Sequence, residues 1–372
     1  MNADFHSVVM VVYDGIENSV FESQVITPLL AELEANQCLE ITLVSFERTI
    51  LPSHLVCKKI PVHDRLHFVL AKKLPFLGIP SLWPALWQLT KILRFIGGNE
   101  LRARGPLAGW LVLRAVEKFV SQKAVLRGFI PQVLVQARGL AAQEHRYAMA
   151  RRTRNVLQKM RDVITKKLLH RVEQSVYGYR GIIAQRGRFV VESVSSALRD
   201  YLAQYFGIKH EWVTIASRDI TPRVDAECVA SWRVKRRNEL GIAHNADVYV
   251  YSGSFKPWQC AGETVAYAAS LLTKNPQAFF LVLTGDVEQF KNAIVQAEIP
   301  IHRHHVLSVS NAVLTEYLAV ADAGFLLRES DVINWVSRPT KMLEYQAVGL
   351  EIIHNNTVAC LWKKLHFSEV MR

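Results

Sequence analysis

The stretch DVYVYSGSFKPWQCAGETVAYAASLLTKNPQAFFLVLTGD, residues 247–286, contains a complete strand–helix–strand unit. Apolar runs at Val248–Ser252 and Ala278–Leu283 have the length and the β-branched and aromatic content of buried strands. Between them, Glu263–Leu272 has the apolar spacing of a helix and is followed by an Asn-Pro turn signal. A helix that joins two short apolar strands is typical of a parallel β-sheet.

The alternation of strands and helices continues through the rest of this half of the chain. Strands are predicted at His305–Val309, Ala323–Leu327 and Glu351–His354, and helices at Val287–Ala297, Ala312–Val320 and Thr340–Val348. The first half opens in the same way, with a strand at Ser7–Tyr13, a helix at Ser19–Glu34 and a strand at Leu39–Ser45. Beyond them, helices are predicted over 81–128, at Gly139–Met149 and at Ser193–Tyr205, and strands at Pro131–Gln136, Arg188–Glu192 and Trp212–Ala216.

These patterns predict an α/β protein with two doubly wound, Rossmann-like domains. We place the first domain at 1–216, a polar and basic linker at 217–245, and the second domain at 246–372. Domains of this class bind ligands at the carboxyl ends of their strands. Two such domains facing each other would form a cleft.

Charge is distributed unevenly along the 372 residues. The net charge is +12, yet residues 51–200 hold 27 Lys and Arg against 8 Asp and Glu, and the remainder is mildly acidic. A basic first domain indicates a polyanionic partner: an anionic membrane, a phosphorylated substrate or nucleic acid. The basic stretch 146–171 is expected to be a solvated face or a mobile loop. Nucleic acid is the least favoured partner, because the stretch offers few aromatic rings besides Tyr147 for stacking on bases.

The most apolar segment, 66–99, is not predicted to cross a membrane. Its uncharged core, Leu74–Thr90, contains three prolines, which would leave backbone groups unsatisfied in lipid. Trp83 and Trp87, with lysines on either side, suit an amphipathic surface at a bilayer interface. A buried helical hairpin is the alternative.

Several classes of site are not indicated by the sequence. Five scattered cysteines without a C-x-x-C pair argue against disulfides and structural zinc and fit a cytoplasmic location, and no signal peptide is expected. There is no dinucleotide fingerprint after either first strand, no P-loop, no nucleophile elbow and no H-E-x-x-H. The HRHH run at 302–305 is interpreted as a turn before a strand. We therefore predict no metal site and no cofactor.

A candidate phosphate loop follows the first strand of the second domain. YSGSFKPWQ, residues 251–259, puts Gly253 and Ser254 at the carboxyl end of this strand, with Lys256 just beyond. Glycine adds no side chain, so backbone amides there can approach phosphate oxygens. LTGD, residues 283–286, ends the next strand at the same edge.

The segment SRPTKMLEYQAVGL, residues 337–350, is a second candidate anion site. Its Ser-x-Pro leads into a helix whose N-terminal amides favour an anion, and Lys341 adds positive charge one turn in. Glu344 shares the helix face of Lys341 and can accept hydrogen bonds from ribose hydroxyls. An ordinary capped helix with a solvated Lys–Glu pair is the alternative.

Together these patches resemble the donor-binding domain of the group 1 glycosyltransferase family, which has the GT-B architecture. DVYVYSGSFKPWQ, 247–259, is similar to the family's opening strand and phosphate loop, and SRPTKMLEYQAVGLEII, 337–353, to its closing signature. The resemblance implies transfer of a sugar from a nucleotide-sugar to a glycan or lipid-linked acceptor, without a metal. Lipopolysaccharide or another bacterial surface polysaccharide is the expected product, made in the cytoplasm with the basic first domain docked on the inner membrane face.

The resemblance also implies roles for individual residues. Glu344 matches the ribose-binding glutamate of the family. Lys256 and Lys341 match positions that neutralise the diphosphate, and Arg328 or Arg338 is expected to replace the arginine that usually accompanies the loop lysine. The predicted donor-site residues are Gly253, Ser254, Lys256, Ser337, Lys341 and Glu344.

Acceptor-side residues are predicted from their position in the first domain. Gly15, Asn18 and Ser19 lie in the loop after its first strand, and Arg138 follows its mid-domain strand. The sequence departs from the family pattern in two respects. Val336 stands eight residues before Glu344, where a second glutamate is usual. Few residues follow the last strand. A non-catalytic, GT-B-like assembly or regulatory partner is therefore the alternative to an enzyme.

Overall fold

The computed structural model describes residues 6–13, 15–16, 21–49, 60–74, 79–121, 130–216 and 223–361. The chain divides into two compact units, Met1–Asp219 and Ile220–Arg372. The boundary falls inside the segment 217–245 that the sequence analysis assigned to a linker. Most of that segment belongs to the second unit, because residues 226–239 form one of its helices.

The described part of the first unit contains a seven-stranded parallel sheet in the order β3-β2-β1-β4-β5-β6-β7. Its crossovers reverse direction at β1, which is the doubly wound pattern. The strands are β1 His6–Val12, β2 Leu39–Glu47, β3 Leu66–Lys72, β4 Glu100–Arg104, β5 Gln132–Ala137, β6 Phe189–Ser193 and β7 Val213–Ile215. The helices are α1 Thr27–Ala35, α2 Leu82–Ile96, α3 Gly105–Ser121, α4 Ala141–Ala150, α5 Val156–Tyr177, α6 Ile182–Gln185 and α7 Ser196–Phe206.

The strand β1 lies at the centre of this sheet because its sequence tolerates burial on both faces. Val8–Val12 are all nearly inaccessible to solvent, and β1 pairs in parallel with β2 on one side and β4 on the other. Its apolar side chains pack with Leu33 of α1 and with Ile41 of β2 in one core cluster. A near-continuous apolar run of this kind is typical of a central parallel strand.

The strand β4 was predicted wrongly, because residues 81–128 were expected to be helical. Its sequence ELRAR is buried throughout although it carries three charges. The Arg102 guanidinium donates to both carboxylate oxygens of Glu32, at 2.6 and 2.8 Å, and to Glu100 at 2.6 Å. Burial lowers the pKa of Arg102, but these bonds raise it above its ordinary value. The charged strand is therefore stabilised by a partner on α1, which local periodicity does not show.

The segment 66–99 combines a strand with a helix. Residues 66–72 form β3, and α2 buries Leu82, Leu86, Leu89 and Leu93 on one face. No helix among the described residues is long and apolar enough to cross a membrane. Residues 146–171 were expected to be a solvated face or a mobile loop. The solvated face is confirmed: from Val156 onward the stretch belongs to the 22-residue helix α5, on which Lys159, Arg161 and Lys167 are exposed. Asn155 and Gln158 form a capping box at its start.

The described part of the second unit contains a five-stranded parallel sheet in the order β10-β9-β8-β11-β12. Its strands agree with the predicted ones to within two residues at each end. They are β8 Asp247–Ser252, β9 Ala278–Leu283, β10 His304–Leu307, β11 Ala323–Leu326 and β12 Glu351–His354. The helices are α8 Ala226–Glu239, α9 Ala261–Lys274, α10 Val287–Gln296, α11 Asn311–Leu318, α12 Val332–Trp335 and α13 Thr340–Ala347.

The helix α8 is held to the second unit by two buried or half-buried arginines. Arg237 donates to Asp322 at 2.9 Å and to the Val320 carbonyl at 3.0 Å, and Arg233 donates to Asp322 at 2.6 Å. Two of the basic residues that suggested a linker, Arg233 and Arg237, therefore bind the turn before β11.

Candidate functional site

Helix α13 is anchored at the carboxyl edge of the second sheet by Tyr345. Its buried hydroxyl accepts a hydrogen bond from the Ser252 N–H at 3.0 Å and donates to the Phe325 carbonyl at 3.3 Å. These two backbone groups lie near the ends of β8 and β11. A side chain at Gly324 would place a Cβ 2.6 Å from the Tyr345 ring, so this glycine permits the close approach. The anchor holds Lys341 and Glu344, on neighbouring turns of the helix, at the edge of the sheet.

Lys341 and Gly253, both predicted as donor-site residues, lie in contact. Gly253 has φ +134°, and a Cβ on it would stand 3.0 Å from Lys341 Nζ and 2.9 Å from Gln259 Oε1. Glycine is therefore required here for both backbone conformation and space. The Gly253 N–H donates to the Leu283 carbonyl at 2.9 Å, so this N–H is not free to bind an anion. What Gly253 contributes to the site is the absence of a side chain.

Gln259 is a site residue that the sequence analysis missed. Its Oε1 accepts a hydrogen bond from Lys341 Nζ at 3.0 Å, and its Nε2 donates to Ser254 Oγ at 3.1 Å. The Tyr251 hydroxyl lies 2.8 Å from the Ser254 carbonyl and 3.0 Å from Gln259 Oε1. The loop after β8 is thereby closed around the ammonium of Lys341. The sequence signal that could have identified Gln259 is its position at the end of the YSGSFKPWQ motif.

Lys341 is buried, and its ammonium lies 4.1 Å from the centroid of the Tyr251 ring. Burial lowers the pKa of Lys341 well below that of an ordinary lysine, and the charge of Arg328 lowers it further, whereas Glu344 raises it. Burial also raises the pKa of Glu344, against the influence of Lys341. An anion at this edge would favour the charged form of Lys341.

Arg328 follows β11 and is fixed by Asn355, the residue after β12. The Arg328 N–H donates to Asn355 Oδ1 at 3.1 Å, and Asn355 Nδ2 donates to the Arg328 carbonyl at 2.7 Å. Arg328 and Lys341 both lie at the carboxyl edge of the second sheet, and the charge of Arg328 adds to the effect of burial in lowering the pKa of Lys341. Two cationic side chains thus share this edge of the sheet.

The other predicted donor-site residues lie around this centre. Lys256 is exposed, and its ammonium lies 5.1 Å from the centroid of the Trp258 ring. Ser337 Oγ donates to the Asn334 carbonyl at 2.8 Å in the turn before α13. Arg338, in the same turn, is half-buried and lowers the pKa of Cys360 against the effect of burial. The structure thus joins Gly253, Ser254 and Lys341 in one contact network and leaves Lys256 at its solvent side.

In the first unit, Gly15 lies against a buried carboxylate that was not predicted. Glu47 Oε1 accepts hydrogen bonds from the Ile16 N–H at 2.9 Å and from Ser45 Oγ at 2.5 Å. Gly15 has φ +80°, and a Cβ on it would stand 2.6 Å from Glu47 Oε2. Asn18 and Ser19, the other residues predicted in this loop, lie outside the described residues.

Arg138 lies beyond the end of β5, next to polar side chains of two strands. Its guanidinium is 3.8 Å from Glu192 Oε1 on β6, and Gln136 Nε2 donates to the same oxygen at 3.2 Å. Arg104, Gln136 and Glu192 are in register across three adjacent strands and are all buried. The carboxyl edge of this sheet is therefore polar around Arg138.

No group of three or more metal-ligating side chains occurs in the part of the chain that the structure describes. Within the HRHH run, Arg303 belongs to a short 3₁₀ turn and His304 begins β10. His305 lies 2.9 Å from the Leu240 carbonyl. The four described cysteines, Cys38, Cys228, Cys260 and Cys360, are free thiols.

Comparison with known proteins gives matches at the level of structure. No family model and no curated protein matches the chain. A sucrose-phosphate synthase from Thermosynechococcus elongatus matches with a TM-score of 0.64 and 14% identity, over 96% of this chain and 82% of that chain. HepE from Anabaena, solved with UDP and glucose, matches with a TM-score of 0.57 and 12% identity, over 97% and 83% of the chains. WaaG, a glycosyltransferase involved in lipopolysaccharide biosynthesis, matches with a TM-score of 0.57 and 12% identity, over 95% and 82%.

At these identities the likenesses show the fold. The chain has the GT-B fold of group 1 glycosyltransferases, with a Rossmann-like parallel sheet in each unit, and the predicted fold class is confirmed.

Proposed function

We propose that this protein is a glycosyltransferase that moves a sugar from a nucleotide-sugar to a glycan or lipid-linked acceptor. The observation that carries the proposal is the burial of Lys341 beside Gly253, at the carboxyl edge of the second sheet, with Glu344 on the next turn. A buried lysine held by a neutral amide is costly unless an anion completes its environment.

The chemistry follows from where negative charge develops. When the glycosidic bond of the donor breaks, the nucleoside diphosphate leaves with additional negative charge. Lys341 and Arg328 stabilise that charge from fixed positions, which lowers the barrier without a metal. Because Gly253 has no side chain, Lys341 can lie against the phosphate loop. Glu344 accepts hydrogen bonds from the ribose hydroxyls.

The acceptor is assigned to the first unit, where the loop of Gly15 and the polar edge around Arg138 provide its contacts. We propose a cytoplasmic enzyme, peripheral on the inner membrane face, that works in the synthesis of a surface polysaccharide or lipopolysaccharide. The likeness to WaaG supports this pathway class, and the basic composition of residues 51–200 supports the membrane location.

A non-catalytic GT-B partner is the second candidate, and one observation favours it. Val336, at the position where the family resemblance implies a second glutamate, is completely buried at the end of α12. A carboxylate is therefore absent from that position. This candidate predicts nucleotide binding at most, with no transfer of sugar.

Thermal unfolding with UDP, GDP, ADP, CMP and their sugar conjugates tests the proposal. A nucleotide at about 100 times its Kd stabilises the folded state by about 2.7 kcal/mol, which gives a measurable rise in Tm. We expect a rise with one nucleotide family that is lost in Glu344→Ala and retained in Gln346→Ala, an exposed control on the same helix. No rise with any nucleotide would contradict the proposal, and a rise without release of nucleoside diphosphate from any donor would favour the non-catalytic candidate.

A further inference from the structure

Helix α5 exposes an apolar stripe to solvent. Leu157 is 78% exposed and Ile164 is 55% exposed, although both are large apolar residues. The stripe recurs at the spacing of one helix face. It consists of Val156, Leu157, Met160, Val163 and Ile164, all of which are exposed.

Basic residues flank the stripe on both sides. A helix turns by about 100° per residue, so Lys159 and Arg161 lie on opposite sides of Met160. Arg171, three turns further on, continues the face of Met160. These side chains are exposed, whereas Leu169 and Val172 on the other side of the helix are buried. The arrangement is that of an amphipathic helix in a bilayer interface, with the apolar face among acyl chains and the cations at headgroup level.

Helix α2 presents a second surface on which large apolar side chains are exposed beside a basic residue. Trp83 and Trp87, one turn apart, are 67% and 60% exposed, and the ammonium of Lys91 lies 3.6 Å from the centroid of the Trp87 ring. Tryptophan with a nearby lysine is well suited to the boundary between water and lipid.

Helices α5 and α2 meet at a groove. A groove of about 280 Å³ is lined by Trp83 of α2, Trp110 of α3, and Leu168 and Arg171 of α5. Trp83 packs edge-on against Trp110, with 5.6 Å between the ring centroids. Arg171, which continues the stripe, thus reaches the same groove as Trp83. We call the stripe of α5, together with Trp83 and Trp87 of α2, the docking surface.

We propose that the docking surface lies on an anionic lipid bilayer. Charge complementarity supports this occupant, because residues 51–200 carry 27 basic against 8 acidic residues. A second copy of the chain would bring the basic flanks of α5 against each other, so self-association is disfavoured. The inference rests on the membrane location in the proposed function and identifies α5, which sequence analysis did not connect with lipid, as its main element.

Co-sedimentation with vesicles tests the proposal. The vesicles contain phosphatidylcholine alone or phosphatidylcholine with phosphatidylglycerol. We expect wild type to bind the anionic vesicles, more weakly at high salt. The double variant Leu157→Glu/Ile164→Glu is expected to bind at least about tenfold more weakly, since each apolar side chain contributes to burial in the interface. Lys159→Glu/Arg161→Glu is expected to lose the preference for anionic lipid.

A matched control is provided by two exposed apolar residues of the second unit. Val295→Glu/Ile301→Glu adds the same charges at positions that are 75% and 85% exposed and should bind vesicles like wild type. Equal binding by wild type and the Leu157→Glu/Ile164→Glu variant would overturn the proposal. So would a wild-type dimer that the same variant converts to monomer without any vesicle binding. The nucleotide-induced rise in Tm is measured on every variant, so that loss of docking is distinguished from failure of the proposed transferase.

Discussion

The ammonium of Lys341 lies 3.0 Å from the side-chain oxygen of Gln259, which links helix α13 to the loop after β8. A neutral amide orients the ammonium without cancelling its charge. In the proposed function, this charge is available to the diphosphate of the donor.

Binding of a nucleoside diphosphate is expected to weaken as the pH rises. Burial and Arg328 lower the pKa of Lys341 below the ordinary value of 10.5, and a phosphate favours the protonated form. Affinity should fall as the pH rises through that lowered pKa, before ordinary lysines lose their protons. Titration calorimetry across this range measures the effect, which Lys341→Met should abolish and the exposed Lys274→Met should retain.

Stability without ligand should change with pH in the opposite sense. Because the pKa of Lys341 is lower in the folded state, the unfolded chain binds more protons between that value and 10.5. The free energy of unfolding therefore rises with pH through this window, and Lys341→Met should lack this contribution. A Lys341→Met profile that parallels wild type in denaturant titrations would refute the assignment.

Gly253→Ala is expected to destabilise the second unit and to abolish nucleotide binding. The new Cβ would lie 2.9 Å from Gln259 Oε1 and 3.0 Å from Lys341 Nζ, at a backbone φ of +134°. We expect a loss of about 1–3 kcal/mol, because the conformation is strained for any residue with a side chain. Gly262→Ala is the control, since a Cβ there meets open space within α9. Urea unfolding and the nucleotide-induced rise in Tm give both readouts.

The first unit is expected to lose stability as the pH rises from about 4.5 to about 7. Burial on α5 raises the pKa of Glu173 to about 7, opposed by the amides of Ala142 and Ala141 and assisted by Glu144. The folded state thus holds a proton that the unfolded chain releases near 4.5, so the stabilisation present below that pH is lost through this window. Its size is of the order of 3 kcal/mol. Denaturant midpoints across the window should move less in Glu173→Gln than in wild type or in the exposed control Glu263→Gln.

Arg138→Ala is expected to impair use of the acceptor without affecting the donor. Arg138 lies at the polar edge of the first sheet, 3.8 Å from Glu192. Its loss should raise the acceptor KM or lower kcat, while the nucleotide-induced rise in Tm stays at the wild-type value. Steady-state kinetics with varied acceptor tests this role, and unchanged acceptor parameters would exclude it.

Much of the second unit was predictable because its signals are local. Short apolar runs alternate with helical patterns from Val248 to His354, and each run supplies a strand whose neighbours follow from right-handed crossovers. Local signals also placed Gly253 and Lys341 at one edge of the sheet, since Gly253 follows the end of a strand and Lys341 lies in the first turn of a helix. The two Rossmann-like domains follow from these patterns, whereas the GT-B architecture was implied by the family resemblance of 247–259 and 337–353.

The features that only the tertiary structure decided depend on contacts between distant residues. The burial of strand β4 depends on the hydrogen bond between Arg102 and Glu32 of α1. Gln259 belongs to the site because its side chain binds Lys341 of α13, which is 82 residues away in the sequence. The stripe of α5 could not be identified from sequence, because an apolar face is buried or exposed according to what packs on it. Periodicity determines which face a side chain occupies, whereas burial and charge pairing are set by the rest of the fold.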